Sequence, residues 1–361
     1  MKRIVTDKTN EYRKIISTIS VVILMGVITL GSVILAGCNS KKKAPTEIKI
    51  GVSVHDDSDI FVNSITKYMK EWCKEKEKET GIKLTIDVVS AMGSQLTQND
   101  QVEKFIAKGY DVLCVNLVDR TDATLIIDNA MDADVPVVFF NRELVEEDLD
   151  RWDKLYYVGG VAEQSGRLQA QIIIDALSDK DEFNKYDVNH NDTIQYVILE
   201  GETRHQDAIM RTKVVTEELK NAGFSIEKLG DEYANWDRDQ AKTKMLSLIS
   251  KYPFQIEMVI ANNDEMAIGA IEALEESNYP IDAYVVGIDG TQQGLEAIRS
   301  RRMDGSVYND ALGQSNAIME IAYALSLDDE IPEDIALTFG KYVYLPYSII
   351  TYDNVQEYIS L

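Results

Sequence analysis

Residues 187–211 read DVNHNDTIQYVILEGETRHQDAIMR. An apolar run, residues 194–199, separates two polar clusters. Ahead of it, Asp187, Asn189, Asn191 and Gln195 place oxygen-bearing side chains at alternate positions, the spacing of a calcium-binding loop. Behind it come a Gly201-Glu202 turn and then His205, Asp207 and Arg211 at the start of a helical stretch. These three can converge above the carboxyl end of the strand. Strand, turn and helix in this order form the repeating unit of a parallel α/β sheet.

Each cluster also has a plainer reading. The loop matches only the first half of the EF-hand pattern, since its twelfth position is Ile198 rather than Glu and its sixth is Asp192 rather than Gly. An Asx-rich surface turn would use the same residues, because Asn and Asp bond their own backbone and tolerate left-handed conformations. His205, Asp207 and Arg211 can likewise be an ordinary helix N-terminus, with an acid in the first turn.

The unit recurs in both directions along the chain. Residues 48–54, 84–89, 112–115 and 135–140 form apolar runs of strand length. Helical patterns lie between them, around Phe61, Ile65, Met69 and Trp72 and over residues 101–108 and 123–131. The pattern restarts at residues 155–158 and continues through 194–199, 256–261 and 284–287. About 315 residues outside the N-terminal segment suit two domains better than one. The expected fold is therefore α/β, two doubly wound parallel-sheet lobes. Polar or aromatic residues follow strand after strand: Asp59 and Phe61, Asn141 and Arg142, then His205, Asp207 and Arg211. Further along come Asn262, Asn263 and Asp264, then Asp289, then Asn309 and Asp310. Ligands of open α/β sheets bind outside the carboxyl ends of strands, so the recurrence says more than any single residue. Asn263 or Asp264 before a helix also reads as a cap.

Residues 1–37 stand apart from the fold. Lys2, Arg3, Arg13 and Lys14 precede an apolar run that ends Leu35-Ala36-Gly37-Cys38, the layout of an export signal. The LAGC tetrapeptide resembles the bacterial lipobox, in which the Cys, here Cys38, is lipidated and becomes the first mature residue. A membrane-spanning anchor is the alternative, because the run is long enough to span. Residues 38–46 then form a tether whose Lys41, Lys42 and Lys43 suit anionic head groups. The resulting expectation is an exported protein, lipid-anchored to the outer face of the bacterial cell membrane.

The formal net charge is −24; residues 1–37 hold five basic and two acidic residues, so the remainder is more acidic still. That excess argues against nucleic acid as a partner, which needs a basic face. Cys73 and Cys114 remain besides Cys38, one in a helical stretch and one in an apolar strand. They read as buried thiols rather than a disulfide, and nothing has the spacing of a zinc site.

Longer runs then carry a resemblance. GVSVHDDSDIF, KGYDVLCVNLVD, VPVVFFNRE, YYVGG, the opening stretch, WDRDQAKTKM, EMVIANNDEMAIGAIEAL and YNDALGQ together resemble the periplasmic galactose/glucose-binding proteins, solute-binding components of ABC sugar transporters, from about Gly51 to Pro346. The resemblance implies the type I periplasmic binding protein fold, with three hinge crossings near Gly160, Asn309 and Leu345-Pro346. One lobe would comprise residues 47–160 and 310–345, the other 161–309 and 346–361. It implies sugar contacts from Asp59, Phe61, Asn141, His205, Asp207, Arg211, Trp236, Asn263, Asp289 and Asn309. Phe61 and Trp236 would cover the two faces of a pyranose while the polar groups bond its hydroxyls, consistent with the chemistry of each group. Arg142 stands where the family has Lys.

By the same resemblance, calcium would be held by Asp187, Asn189, Asn191, the carbonyl of Thr193, Gln195 and, from a distant strand, Glu257. Asn191 replaces an Asp and Asp192 replaces the turn Gly, so weaker metal binding is expected. The implied partners are a hexose, glucose or galactose, and a membrane permease, with a sensor or chemoreceptor as a further partner; the protein itself is expected to be a monomer. A glycoside hydrolase would need two carboxylates, which Asp59, Asp207 and Asp289 could supply, but Arg211 beside Asp207 would keep that acid ionised and no proton donor. A sugar-responsive transcription regulator would need a DNA-binding segment before Glu47, where the chain has the signal and lipobox instead.

Overall fold

The computed structural model describes residues 45–360, so the signal, Cys38 and most of the tether lie outside the described residues. The first lobe begins with β1 (Glu47–Val54), α1 (Ile60–Thr80), β2 (Lys83–Ser90), α2 (Gln95–Ala107) and β3 (Val112–Val115). It continues with α3 (Thr124–Asp132), β4 (Val137–Phe140), α4 (Glu146–Leu149) and β5 (Leu155–Gly160). The second lobe takes α5 (Ala162–Leu177), α6 (Lys180–Tyr186), β6 (Ile194–Glu200), α7 (Gln206–Asn221), β7 (Ile226–Tyr233), α8 (Arg238–Lys251) and β8 (Met258–Ala261). After these come α9 (Asp264–Glu276), β9 (Tyr284–Val286), α10 (Gln292–Arg299) and β10 (Gly305–Tyr308). The chain returns to the first lobe for α11 (Ala311–Leu327) and β11 (Tyr342–Leu345), then ends in the second with β12 (Ser348–Thr351) and α12 (Val355–Ile359).

The two sheets run β11-β5-β4-β3-β1-β2 and β12-β10-β9-β8-β6-β7. Both therefore share one winding order, and every pairing is parallel except that of β12 with β10. The chain crosses between sheets after β5, between β10 and α11, and between β11 and β12.

The central strands read as continuous apolar runs because both faces are covered. In β3, Val112 and Cys114 pack with Ile65 and Met69 of α1 and Ile318 of α11, whereas Leu113 and Val115 pack with Val102 and Phe105 of α2. Alternate residues go to opposite faces, as the strand period of two requires. Cys73 and Cys114 are free and buried, and burial pushes the Cys73 thiol up to about 12, so neither is a reactive thiolate at neutral pH.

Several elements differ from the sequence reading, whose apolar runs include none of the last three strands, β10, β11 and β12; α2 and β7 show why. Helix α2 starts at Gln95, capped by Ser94 whose Oγ accepts from Thr97 N at 3.2 Å, ahead of the expected residue 101. Its first turns, QLTQND, carry little apolar signal. Strand β7, IEKLGDEY, lies at the sheet edge with mostly half-buried or exposed residues. An edge strand exposed on one face lacks the apolar run that reveals a central strand.

Candidate functional site

The switch point of each winding order lies beside β1 and β6, and the polar residues gather there. From the first lobe, Asp59 caps α1, its Oδ1 accepting from Val62 N at 3.0 Å. Phe61 lies in the first turn of the same helix and is buried. Asn141 follows β4 in a left-handed conformation (φ 62°), its Oδ1 accepting from Asn116 Nδ2 at 3.1 Å. Asn116 and His55 were not singled out from the sequence. Asn116 Oδ1 accepts both His55 N (3.2 Å) and His55 Nδ1 (2.6 Å), which leaves His55 Nε2 facing Asp59 Oδ2 at 3.7 Å. Their signal was only position, directly after β1 and β3.

In the second lobe Arg211 is the hub and is 3% exposed. Its Nε donates to Ser165 Oγ (3.1 Å), Nη1 to Asn262 O (2.9 Å), and Nη2 to Asp207 Oδ2 (3.2 Å) and Tyr347 OH (3.4 Å). Asp289 Oδ1 stands 3.9 Å from Nη1. A guanidinium bonded on each nitrogen is fixed in the orientation it presents to the cleft. Asp289 has φ 117°, a conformation rare outside glycine, and such strain persists where surrounding contacts hold it. Here Asn309 Nδ2 donates to Asp289 Oδ1 at 3.3 Å, and Gln314 Nε2 of α11 donates to Asn309 Oδ1 at 2.7 Å.

The acids differ from expectation. Burial raises the Asp207 carboxyl above its ordinary range, and Arg211 and Arg142 oppose that shift without cancelling it. Arg211 does pull the carboxyl down, as expected, but desolvation is the larger effect, so the net shift is upward. Burial raises Asp289 as well.

His205 is both helix cap and cleft residue. Its Nδ1 accepts from Asp207 N at 3.1 Å, so the ring proton sits on Nε2. Burial and the nearby Arg142 and Arg211 lower its pKa well below the usual value and keep it neutral. The ring meets Trp236 edge to face, centroids 5.0 Å apart. Trp236 itself has φ 64°, and its indole lies flat over Gly201, where a Cβ would stand 2.1 Å from Cζ2. Only glycine leaves room there for the indole. Asn263 keeps its capping role, Oδ1 accepting from Met266 N at 3.0 Å, while Nδ2 donates to Trp236 O at 3.5 Å.

The lobes touch across this cleft. Arg142 grips Glu202 of the opposite lobe through two hydrogen bonds, 3.0 and 2.6 Å, and His55 Nε2 lies 4.0 Å from Glu202 Oε1. Glu202 belongs to the turn quoted at the outset, and nothing in the sequence marked it as Arg142's partner. Two cavities are lined by residues of this region. One of about 290 Å³ is lined by Arg120, Arg142, Glu202 and His205; another of about 540 Å³ is lined by Phe61, Tyr68, Tyr308 and Asn309.

The loop at residues 187–195 lies at the opposite, amino end of β6, and Glu257 reaches it from just before β8. Glu257 Oε1 and Oε2 accept from Val188 N and Gln195 N, both at 2.9 Å. Asp187 accepts from Asn191 N (3.1 Å) and Asp192 N (2.9 Å). Asn189 Nδ2 lies 3.5 Å from Glu257 Oε1, Thr193 N donates to Asn191 Oδ1 at 2.9 Å, and Gln195 Nε2 reaches the same oxygen at 3.4 Å. Asp192 occupies its position at φ 57°. Asp187 and Glu257 are each 1% exposed and have no Lys or Arg in contact among the described residues. Burial and Asp187's charge raise the Glu257 carboxyl. Two buried carboxylates beside the side-chain amides of Asn189, Asn191 and Gln195 supply oxygen donors of the kind a hard cation takes. No group of three or more His, Cys, Asp or Glu side chains placed to hold a metal ion occurs there or elsewhere among the described residues.

Comparison with known proteins places this geometry. The family model described as "Periplasmic binding protein domain" matches residues 50–330. The chain is 32% identical over 313 residues to the D-galactose/methyl-galactoside binding periplasmic protein of Haemophilus influenzae, covering 86% of this chain and 92% of that one. It is 33% identical over 312 residues to a putative rhizopine-binding protein of Rhizobium meliloti, covering 86% and 92%. An ABC transporter solute-binding protein from Bacillus halodurans with bound myo-inositol superposes with TM-score 0.73 at 28% identity, covering 88% of this chain and 99% of that one. The chain thus belongs to the periplasmic binding protein family, among the sugar-binding components of ABC transporters, and is a binding protein rather than an enzyme.

Proposed function

We propose that this protein captures D-glucose or D-galactose between its lobes by hinge closure and delivers it to an ABC transporter permease. The observation that carries the reading is the cluster of Asp207, Arg211, His205 and Trp236 on one lobe, facing Asp59 and Phe61 on the other. Trp236 and Phe61 offer apolar faces for the C–H surfaces of a pyranose ring, and Arg211 and His205 Nε2–H are fixed donors to its hydroxyls. Asp59, Asp207 and Asp289 accept from them, and Asn141, Asn263 and Asn309 can do either. Arg142 and Glu202 close over the ring from opposite lobes, the arrangement a hinge-closing protein needs. The relative from Haemophilus influenzae, named for galactose, supports the same ligand class.

Tryptophan fluorescence tests it. Trp72 packs on Tyr323 and Trp152 lies beside Lys154, neither in the cleft, so Trp236 is the reporter. Adding either hexose is expected to change the emission of the wild type, and the change should largely vanish in Trp236→Phe while calorimetry still detects weak binding. Absence of binding of both sugars to the wild type at millimolar concentration would overturn the assignment.

Two further parts belong to this reading. The oxygen-rich loop with Glu257 holds a structural calcium ion, through Asp187, Asn189, Asn191, the Thr193 carbonyl, Gln195 and Glu257; the ion would neutralise the two buried carboxylates. Cys38 carries the lipid that anchors the chain to the outer face of the cell membrane. Its Cys38→Ser variant is expected to leave the membrane fraction and still bind sugar; retention in the membrane would remove the anchor from this account.

A further inference from the structure

Strand β5 ends in Gly159-Gly160, where the chain leaves the first lobe. Leu345, the last residue of β11, pairs with Gly160, so the first and third crossings lie side by side. Tyrosines cover both glycines. A Cβ on Gly159 would stand 2.1 Å from Tyr157 OH, and one on Gly160 would stand 2.5 Å from both Cε2 and OH of Tyr347. Only glycine leaves the two hydroxyls where they are.

Each hydroxyl meets a residue of the cleft. In the first lobe Tyr157 OH donates to Asn141 O at 2.9 Å. In the second, Tyr347 OH accepts from Arg211 Nη2 at 3.4 Å. Tyr347 follows the third crossing and has little room to move: it is buried in the second lobe's core, and its N donates to Gln164 Oε1 of α5 at 3.4 Å. Arg211 Cζ lies 5.8 Å from the centre of the Trp236 ring. A chain of contacts therefore runs from Gly160 through the ring and hydroxyl of Tyr347 to Arg211 and on to Trp236. An arginine side chain has many rotamers to lose, and each fixed acceptor narrows the orientation its guanidinium can take. Ser165, Asn262 and Asp207 supply three of those acceptors; Tyr347 supplies the fourth and rests on the crossing itself. Coupling between two sites is reciprocal, so a group that ties Arg211 to the crossing lets the hinge bear on affinity and the ligand bear on the hinge.

We infer that Tyr347 is a positioning residue: seated on Gly160 where the lobes join, it holds Arg211 through its hydroxyl in the orientation the ligand meets, and so ties affinity to the conformation of the hinge. This rests on the cleft being the sugar site, and it adds a residue outside the set of sugar contacts.

The test is a double-mutant cycle in the full-length protein, with Tyr347→Phe, Gly160→Ala and the two combined, read by calorimetry with glucose and galactose. Tyr347→Phe keeps the ring over Gly160 and removes only the hydroxyl; it is expected to bind about threefold to tenfold more weakly than wild type. Gly160→Ala, which drives the ring and its hydroxyl aside, should lose about as much on its own but less than about twofold when added to Tyr347→Phe, where no hydroxyl remains to be displaced. Ligand-free protein supplies a second readout. Because Arg211 lies over Trp236, Tyr347→Phe should shift the indole emission before any sugar is added, and the shift should be absent when Trp236→Phe is also present. A Tyr347→Phe protein with lowered Tm but wild-type affinity and emission would overturn the inference, leaving Tyr347 a packing residue. Equal losses from Gly160→Ala in both backgrounds would overturn the link to the crossing. If neither hexose binds wild type, the hexose reading falls, and the ligand-free emission still decides whether Tyr347 positions Arg211.

Discussion

Asp207→Ala is expected to bind glucose and galactose about thirtyfold to several thousandfold more weakly than the wild type, a cost of roughly 2–5 kcal/mol. The size follows from what stays behind. Arg211 is almost wholly buried and bonded on each nitrogen, with Nη2 held by Asp207 Oδ2 at 3.2 Å. Removing that carboxylate leaves the buried cation with the neutral acceptors Ser165, Asn262 and Tyr347 and, as the nearest charge, Asp289 at 3.9 Å. The loss is therefore that of a broken buried pair, added to the lost acceptor for a sugar hydroxyl. Asp207→Asn, which keeps an oxygen beside Arg211, should lose less than Asp207→Ala. Calorimetry with each sugar measures both, and an Asp207→Ala protein that binds as tightly as wild type would remove this cluster from the site.

The second large effect is on stability. Glu257→Ala strips the acceptors from Val188 N, part-buried, and Gln195 N, buried, both donating to a carboxylate at 2.9 Å. Hydrogen bonds to a charged group contribute about 1.5–3 kcal/mol each, so a loss of about 3 kcal/mol or more is expected. For a protein of this size that amounts to roughly 4–5 °C in Tm. Calcium supplies a separate diagnostic. An ion bound only to the folded state raises stability by mass action. Chelator should therefore lower the wild-type Tm and calcium titration should restore it in proportion to the logarithm of concentration, whereas Glu257→Ala should respond to neither. With only two carboxylates in the cage, the calcium needed is expected to be higher than for a loop with three. Identical chelator responses in both proteins would reduce the loop to a self-bonded Asx turn, although the stability loss of Glu257→Ala would remain.

The sequence carried the fold because local pattern and global architecture agree. Apolar runs such as residues 112–115 and 194–199 are buried on both faces, and strands of that kind announce themselves. β7 and the start of α2 did not: the first is a polar edge and the second is held by the Ser94 cap more than by an apolar stripe. At the cleft, Asp59, Asn263 and His205 were legible as residues following strands. The structure shows each also capping a helix through a side-chain acceptor, so the plain and functional readings coexist in one residue.

What the sequence by itself determined is therefore periodic or positional: two wound sheets, the polar residues at their strand ends, the oxygen-rich loop and the buried, unpaired cysteines. These follow from forces acting over a few residues, namely alternate burial, capping and turn chemistry. Only the tertiary structure decided which groups meet across tens of residues. Arg142 finds Glu202 in the other lobe, His55 is fixed by Asn116, and Glu257 reaches the loop from just before β8. It also decided the balance of charge. An Arg beside an Asp in sequence predicts a low carboxyl pKa, but the desolvation that outweighs it at Asp207 depends on everything packed around the pair.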